Sequence, residues 1–183
     1  MRTEIRLAGS GGQGLILGGI VLAEAAGIHD GKQVVQTQVY GPESRGGASR
    51  TDVIISPDLI DYPKATLPHI VLVMSQEAYA KFGRQVRPDG WLVYDADLVT
   101  VDSGAAARSV GLPLTRIARD ELGRVIVANM VALGVIADLC GAVTREGLEA
   151  AAAERAPKGT VELNLAAIRK GYALAAGARE GRP

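Results

Sequence analysis

The sequence predicts an α/β protein: a three-layer, Rossmann-like open sheet with helices on both faces, one hairpin-like strand pair and a helical C-terminal third. Three observations carry that expectation. Short apolar runs of strand length alternate with segments of helical periodicity in the first half of the chain. A glycine-rich turn, Gly9-Ser10-Gly11-Gly12-Gln13-Gly14, separates the first run from the first helical segment. Beyond Arg124, apolar residues recur at three- and four-residue spacings.

Glu4 to Ala8 sets Ile5 and Leu7 between charged residues and predicts the first strand. From Gln13 onward, Leu15, Leu22 and Ala26 fall near helical spacing, so a helix is expected to end around Gly27. Gly18 and Gly19 inside it cost about 1 kcal/mol each relative to Ala, tolerable where a helix backbone packs closely on a sheet. Lys32 to Val39 predicts a second strand and Thr51 to Ile55 a third. The segment between them is too short for a helical crossover, which favours a hairpin or edge arrangement. His69 to Met74 is nearly continuous in apolar residues, as a buried parallel strand should be. Gln76 to Phe82 suits a short helix, and Trp91 to Tyr94 a strand after the Pro88-Asp89-Gly90 turn.

In the last third, Val127, Met130, Val131 and Val135 share one face of a helix from Arg124 to Leu139. Thr144 and Thr160 are placed as N-caps, with Glu146 and Glu162 in the first turns that follow, where the helix dipole favours acid. Residues 1–176 are expected as one domain and residues 177–183 as a frayed tail.

Composition narrows the functional classes. The chain has 183 residues, enough to bury a core, and aromatics are only 4%, so that core must be aliphatic. Lys plus Arg and Asp plus Glu are both 20, a balance that argues against nucleic acid or an anionic membrane as partner. The single cysteine, Cys140, can form no internal disulfide and cannot supply the four thiolates of an iron–sulfur cluster. It reads as a small buried hydrophobe. His29 and His69 are too few for a zinc site or a catalytic triad. Glu4 and Arg6 interrupt any signal-peptide core, and the apolar run Val125 to Cys140 is broken by Asn129 and Asp138. A cytoplasmic, soluble protein is the expectation.

Two loops attract attention. Gly9, Gly11 and Gly14 have the G-x-G-x-x-G spacing after a strand and before a helix, which brings bare amides and a helix N-terminus to one spot suited to an anion. A dinucleotide site also wants an acid at the end of the second strand, and Gln36-Thr37-Gln38-Val39 has none. The bland alternative is a turn that merely lets helix and strand pack closely. The second loop is Tyr40-Gly41-Pro42-Glu43-Ser44-Arg45-Gly46-Gly47. Pro42 presets a turn, and Gly46 and Gly47 permit backbone angles closed to other residues. Arg45 is thereby held where its planar fork can meet a carboxylate or phosphate. Glu43 can instead pair with Arg45 or Arg50 and brace the loop. Both loops should line one rim of the sheet.

GSGGQG in the first turn, TQVYGPESRGG after the second strand and the later Asn129-Met130 helix together resemble the gamma subunit of 2-oxoacid:ferredoxin oxidoreductases, from Arg2 to about Ala175. The YGPE form of the second loop is most similar to the 2-oxoglutarate type. The resemblance implies a subunit of an enzyme that decarboxylates a 2-oxoacid oxidatively, acylates coenzyme A and reduces ferredoxin. It places thiamine diphosphate, Mg and 4Fe-4S clusters on partner subunits, alpha and beta with delta as a further candidate, and gives this chain none of them. Ferredoxin is met through the complex, and the isolated chain is expected to self-associate or expose an apolar patch. Gly11, Gly12, Gln13 and Gly14 become the expected contact to coenzyme A. Tyr40, Glu43, Arg45, Gly46 and Gly47 become an expected substrate or interface loop, and no catalytic acid, base or nucleophile is expected. The alternatives are a pyruvate or branched-chain version of the enzyme, a stand-alone dinucleotide-binding oxidoreductase, or a non-catalytic interaction module.

Overall fold

The structure is a computed structural model that describes residues 1–39, 47–102 and 108–179. Strand β1 (Thr3–Ser10) lies inside a six-stranded sheet whose order is β2-β3-β1-β4-β5-β6, with β2 at Gln33–Val39, β3 at Ala48–Ser56, β4 at Ile70–Val73, β5 at Trp91–Asp95 and β6 at Arg108–Leu112. β1, β4, β5 and β6 run parallel, and β3 pairs antiparallel with both β1 and β2. The expected hairpin-like pair is therefore present. It inserts β3 between β1 and β2, and the chain reverses its direction of travel across the sheet between β1 and β4.

Alternation along the strands builds two cores. Ile5, Leu7, Ile70 and Leu72 point to one face, covered by α1 (Leu15–Glu24), α3 (Leu114–Asp120), α4 (Ala128–Cys140), α5 (Arg145–Arg155) and α6 (Val161–Arg179). Ala8, Val71, Val73 and Leu92 point to the other face, against Ala78 and Tyr79 of α2 (Gln76–Phe82). Three layers result, with unequal helical cover. The largest fully buried side chains are almost all Leu and Ile, as the shortage of aromatics requires.

Local details explain several sequence choices. Gly19 is in α1 because a Cβ there would come within 2.6 Å of Thr51 Cγ2 on β3. α1 ends earlier than its periodicity suggests and continues as a π-helical turn, Ala25–His29, so Gly27 lies within helical structure and does not terminate it. Asp30 then accepts from the Thr144 amide at 2.8 Å and its hydroxyl at 2.6 Å, tying this turn to the start of α5. Thr144 is the expected N-cap, its Oγ1 accepting from the Gly147 amide at 3.0 Å. Thr160 differs: its hydroxyl donates to the Pro157 carbonyl at 2.8 Å. α4 is preceded by a 3-10 turn, Val125–Val127, at the start of the predicted helix. α6 runs to Arg179, and thus takes in the first three residues of the expected tail; residues 180–183 lie outside the described residues.

Candidate functional site

The glycine turn joins β1 to α1 at the carboxyl ends of the parallel strands, beside the β1/β4 boundary where open α/β sheets gather their ligands. Gly12 (φ 92°) and Gly14 (φ 71°) occupy left-handed conformations that only glycine adopts without strain. Gly14 is the N-cap and offers no side chain, and the first turn of α1 has no acid. The amides of Gly11, Gly12 and Gly14 through Leu17 accordingly find no acceptor among the described residues. Beside them lies a cleft of about 250 Å³ lined by Ser10, Gly11, Gly12, Gly14, Leu15, Ile16 and Ser49.

Two amide side chains hold this turn in shape. Gln13 Oε1 accepts from the Ser10 amide at 2.8 Å, and its Nε2 donates to the Met74 carbonyl at 2.7 Å, bridging the ends of β1 and β4. Asn129, buried in the first turn of α4, donates from Nδ2 to the Gly14 carbonyl at 3.0 Å. A Cβ on Gly14 would stand 2.5 Å from that nitrogen. Gln13, expected as a ligand contact, has both ends of its amide engaged by backbone. Gln13→Ala should therefore destabilise the chain by about 1–2 kcal/mol by leaving two backbone groups unpaired. Urea unfolding followed through Trp91 fluorescence measures this.

On the other side of Gly12 lies a second pocket, about 370 Å³, walled by Gln13, Met74, Leu98, Thr115, Val125 and Ile126 among others. Leu98, Val125 and Ile126 are apolar and about half exposed. Thr115 is fixed from below, its amide donating at 2.9 Å to Oδ2 of Asp95, a fully buried carboxylate at the end of β5. Asn129 was not among the expected site residues; in the sequence it stands out only as one of two polar breaks, with Asp138, in the run Val125 to Cys140. The pocket's apolar lip carried no such signal, because exposed and buried aliphatics look alike in sequence.

The second loop begins after β2 and ends at β3 on this same rim, since Ala48 pairs with Ser10 across the β1–β3 ladder. Gly47 is buried there, and the Ala48 amide donates to Glu77 Oε1 at 3.1 Å. Tyr40, Glu43, Arg45 and Gly46 lie outside the described residues. The described structure thus brings Gly47 and the Gly11–Gly14 turn to one rim.

Other polar clusters sit elsewhere. A cavity of about 530 Å³ between α5 and α6 is lined by Arg145, Glu149, Arg169 and Tyr172 among others. Its arginines are already paired, Arg145 with Asp138 and Arg169 with Glu149. His69, at the start of β4 on the opposite rim, accepts from the Glu4 amide at 3.1 Å; burial and then the neighbouring Arg87 push its pKa below the usual histidine value. Burial pushes the Cys140 thiol up to about 11, far from a reactive thiolate. Among the described residues, no group of three or more His, Cys, Asp or Glu could hold a metal ion, and no helix is long and apolar enough to cross a membrane.

The strand order also bears on the dinucleotide alternative. With β3 between them, β1 and β2 stand two strand spacings apart, about 10 Å and not about 5 Å. An acid at the end of β2 would be set too far from the turn to serve as the usual ribose contact.

Comparison with known proteins agrees. The pyruvate ferredoxin/flavodoxin oxidoreductase family matches residues 4–174. A 2-oxoglutarate synthase subunit KorC from Methanocaldococcus jannaschii is 46% identical over 177 residues, covering 96% of this chain and 95% of that protein. The gamma subunit of a keto/oxoacid ferredoxin oxidoreductase from Geobacter sulfurreducens superposes with a TM-score of 0.89 at 44% identity, covering 97% of this chain and 98% of that one. A 2-oxoglutarate:ferredoxin oxidoreductase from Magnetococcus marinus, solved with 2-oxoglutarate, coenzyme A and succinyl-CoA bound, gives a TM-score of 0.85 at 25% identity. It covers 96% of this chain but only 31% of that longer one.

Proposed function

This chain belongs to the pyruvate ferredoxin/flavodoxin oxidoreductase family, and from that premise we propose that it is the gamma-type subunit of a 2-oxoglutarate:ferredoxin oxidoreductase. The reaction converts 2-oxoglutarate and coenzyme A to succinyl-CoA and CO2, with two electrons passing to ferredoxin one at a time. The 2-oxoglutarate reading over the pyruvate one is supported by the YGPE form of the second loop and by the KorC relative.

The observation that carries the site assignment is the row of amides at Gly11, Gly12 and Gly14 that have no acceptor among the described residues, beside an apolar pocket and on the rim where β3 begins. Coenzyme A supplies the thiol that receives the acyl group. The turn amides and the positive end of α1 suit its phosphates, while Leu98, Val125 and Ile126 offer apolar contact to the less polar arm and exclude water. Gln13 and Asn129 hold the amides in place. Arg45 is assigned to an anionic group at the subunit seam. A lone cysteine with a raised pKa does not fit a four-thiolate cluster, so the clusters, like thiamine diphosphate and Mg, are assigned to alpha and beta partner subunits.

The test is the complex recovered anaerobically on the tagged chain and assayed for viologen reduction with coenzyme A and a panel of 2-oxoacids. Activity with 2-oxoglutarate in preference to pyruvate is expected. Gly11→Ala is the sharper probe of the turn. A Cβ there meets nothing within 4 Å, so the fold tolerates it, while Gly11 itself lines the cleft. The apparent KM for coenzyme A should rise by about tenfold, equivalent to about 1.4 kcal/mol of lost binding, with kcat preserved. An unchanged KM with intact assembly would assign the turn to packing alone.

A further inference from the structure

We propose that the outer edge of β2 pairs antiparallel with the same edge of a second copy of this chain, about a two-fold axis at Gln36, joining two sheets into one. β2 is the outermost strand of the described sheet, so one row of its backbone donors and acceptors faces outward. Its sequence, QVVQTQV, has seven residues with no charge, no proline and no glycine. Soluble proteins ordinarily guard such an edge with exactly the residues this one lacks.

The contrast with the opposite edge is internal to the molecule. β6 is five residues long, carries Arg108 and is followed directly by Pro113. The Arg108 guanidinium lies over the Trp91 ring at 5.6 Å. Lys32, the nearest charge before β2, is tied back to the Ala142 carbonyl at 2.7 Å and does not guard the strand. Val39 at its far end is 48% exposed.

The strand's own pattern points to a second copy as the occupant. Centring the axis on Gln36 uses all seven residues and sets Gln33 against Val39, Val34 against Gln38, Val35 against Thr37 and Gln36 against itself. A two-fold axis brings any charge near it close to its own copy, and this strand has none to conflict. The whole chain is neutral, so two copies do not repel at long range. Val34 packs on the α1 side and Gln36 bonds Thr51 Oγ1 at 2.7 Å on that side, which leaves Val35, Thr37 and Val39 on the other. There α2 packs on β1, β3 and β4. Pairing would lay the β-branched Val35 and Thr37 of each copy against those of the other, which favours strand association.

Sedimentation of the full chain over roughly a hundredfold range of concentration should show a monomer–dimer equilibrium. Thr37→Lys brings two like charges across the axis and should raise the dimer dissociation constant by about tenfold or more, with an unchanged melting temperature at dilutions where both proteins are monomeric. Gln36→Cys in a Cys140→Ser background should give a disulfide-linked dimer under mild oxidation, because facing strand residues lie about 4.5–5.5 Å apart, within disulfide reach. A chain that stays monomeric throughout and does not cross-link overturns the proposal. So does a dimer indifferent to Thr37→Lys, which would use another surface, or cross-linking in the assembled enzyme to a different subunit, which would make that subunit the occupant.

Discussion

Asp52→Ala is expected to destabilise the chain by about 3–5 kcal/mol, a large share of the roughly 5–15 kcal/mol available to a domain. Arg6 on β1 and Asp52 on β3 face each other across the sheet and are both almost fully buried. Their contact is a two-pronged fork, Nε to Oδ1 at 2.7 Å and Nη2 to Oδ2 at 2.9 Å. Removing the carboxylate leaves the Arg6 guanidinium buried without a counter-charge, while Gln85 Oε1 and the Ala65 carbonyl continue to accept from it. Arg50, which like Arg6 lies over the Phe82 ring and stands 3.8 Å from Asp52, suffers less because it is partly exposed. The double variant Arg6→Met with Asp52→Leu should recover most of the loss, since the penalty comes from the orphaned charge and not from the absence of an ion pair. Urea unfolding of the two variants separates these. A single variant within about 1 kcal/mol of the parent would mean that water reaches the pair.

Arg6 also shows why part of the fold was legible and part was not. Ile5 and Leu7 announce a strand by alternation, which leaves open what surrounds the charges beside them. In the structure those charges are buried, Glu4 accepting from the Thr66 and Leu67 amides while Arg6 reaches Ala65, because the second face of β1 is covered by α2 and the segment 57–68. Alternation reports the strand but not what covers its far side. β4 and α2 were legible because an unbroken apolar run and a Ser75 cap leave few alternatives. β6 was not, because Arg108-Ser109-Val110-Gly111-Leu112 is an edge strand of weak propensity whose Gly111 is dictated by Tyr94, 2.6 Å from where a Cβ would stand. α3 was missed beside it, being one seven-residue helix with no side-chain cap. At the site, the glycine spacing and the short β2–β3 connection were enough to bring the Gly11–Gly14 turn and Gly47, at the start of β3, to one rim, while Tyr40, Glu43, Arg45 and Gly46 lie outside the described residues. The engagement of Gln13 by backbone was not foreseeable, since it depends on Met74 lying 61 positions away. The contact of Asn129 with Gly14 spans 115 positions.

Gly171→Ala should lower stability by about 3 kcal/mol, and Gly134→Ala by a similar amount, although both place Ala, the better helix former, inside a helix. Propensity alone predicts a gain of about 1 kcal/mol per site. Sterics oppose it. α4 and α6 cross with Gly134 against Gly171, and a Cβ on Gly171 would stand 2.8 Å from both the Gly134 Cα and the Val135 nitrogen. A Cβ on Gly134 would meet the Ile168 carbonyl carbon at 2.9 Å and the Gly171 Cα at 3.0 Å. These neighbours are backbone, so no rotamer change relieves the clash, and the helices must separate. Gly177→Ala in the same helix supplies the control, since a Cβ there meets nothing within 4 Å and propensity should win by about 0.5–1 kcal/mol. Thermal melts should place the crossing variants roughly 6–12 °C below the parent and Gly177→Ala slightly above it. Crossing variants that melt above the parent would show that α4 and α6 are not in backbone contact. The crossing reaches the site as well: Asn129 is in the first turn of the same α4, and a displaced α4 would withdraw its hydrogen bond from the Gly14 carbonyl. The weakened crossing should therefore also raise the apparent KM for coenzyme A at temperatures where the variant remains folded, through a contact made far from the substituted glycine.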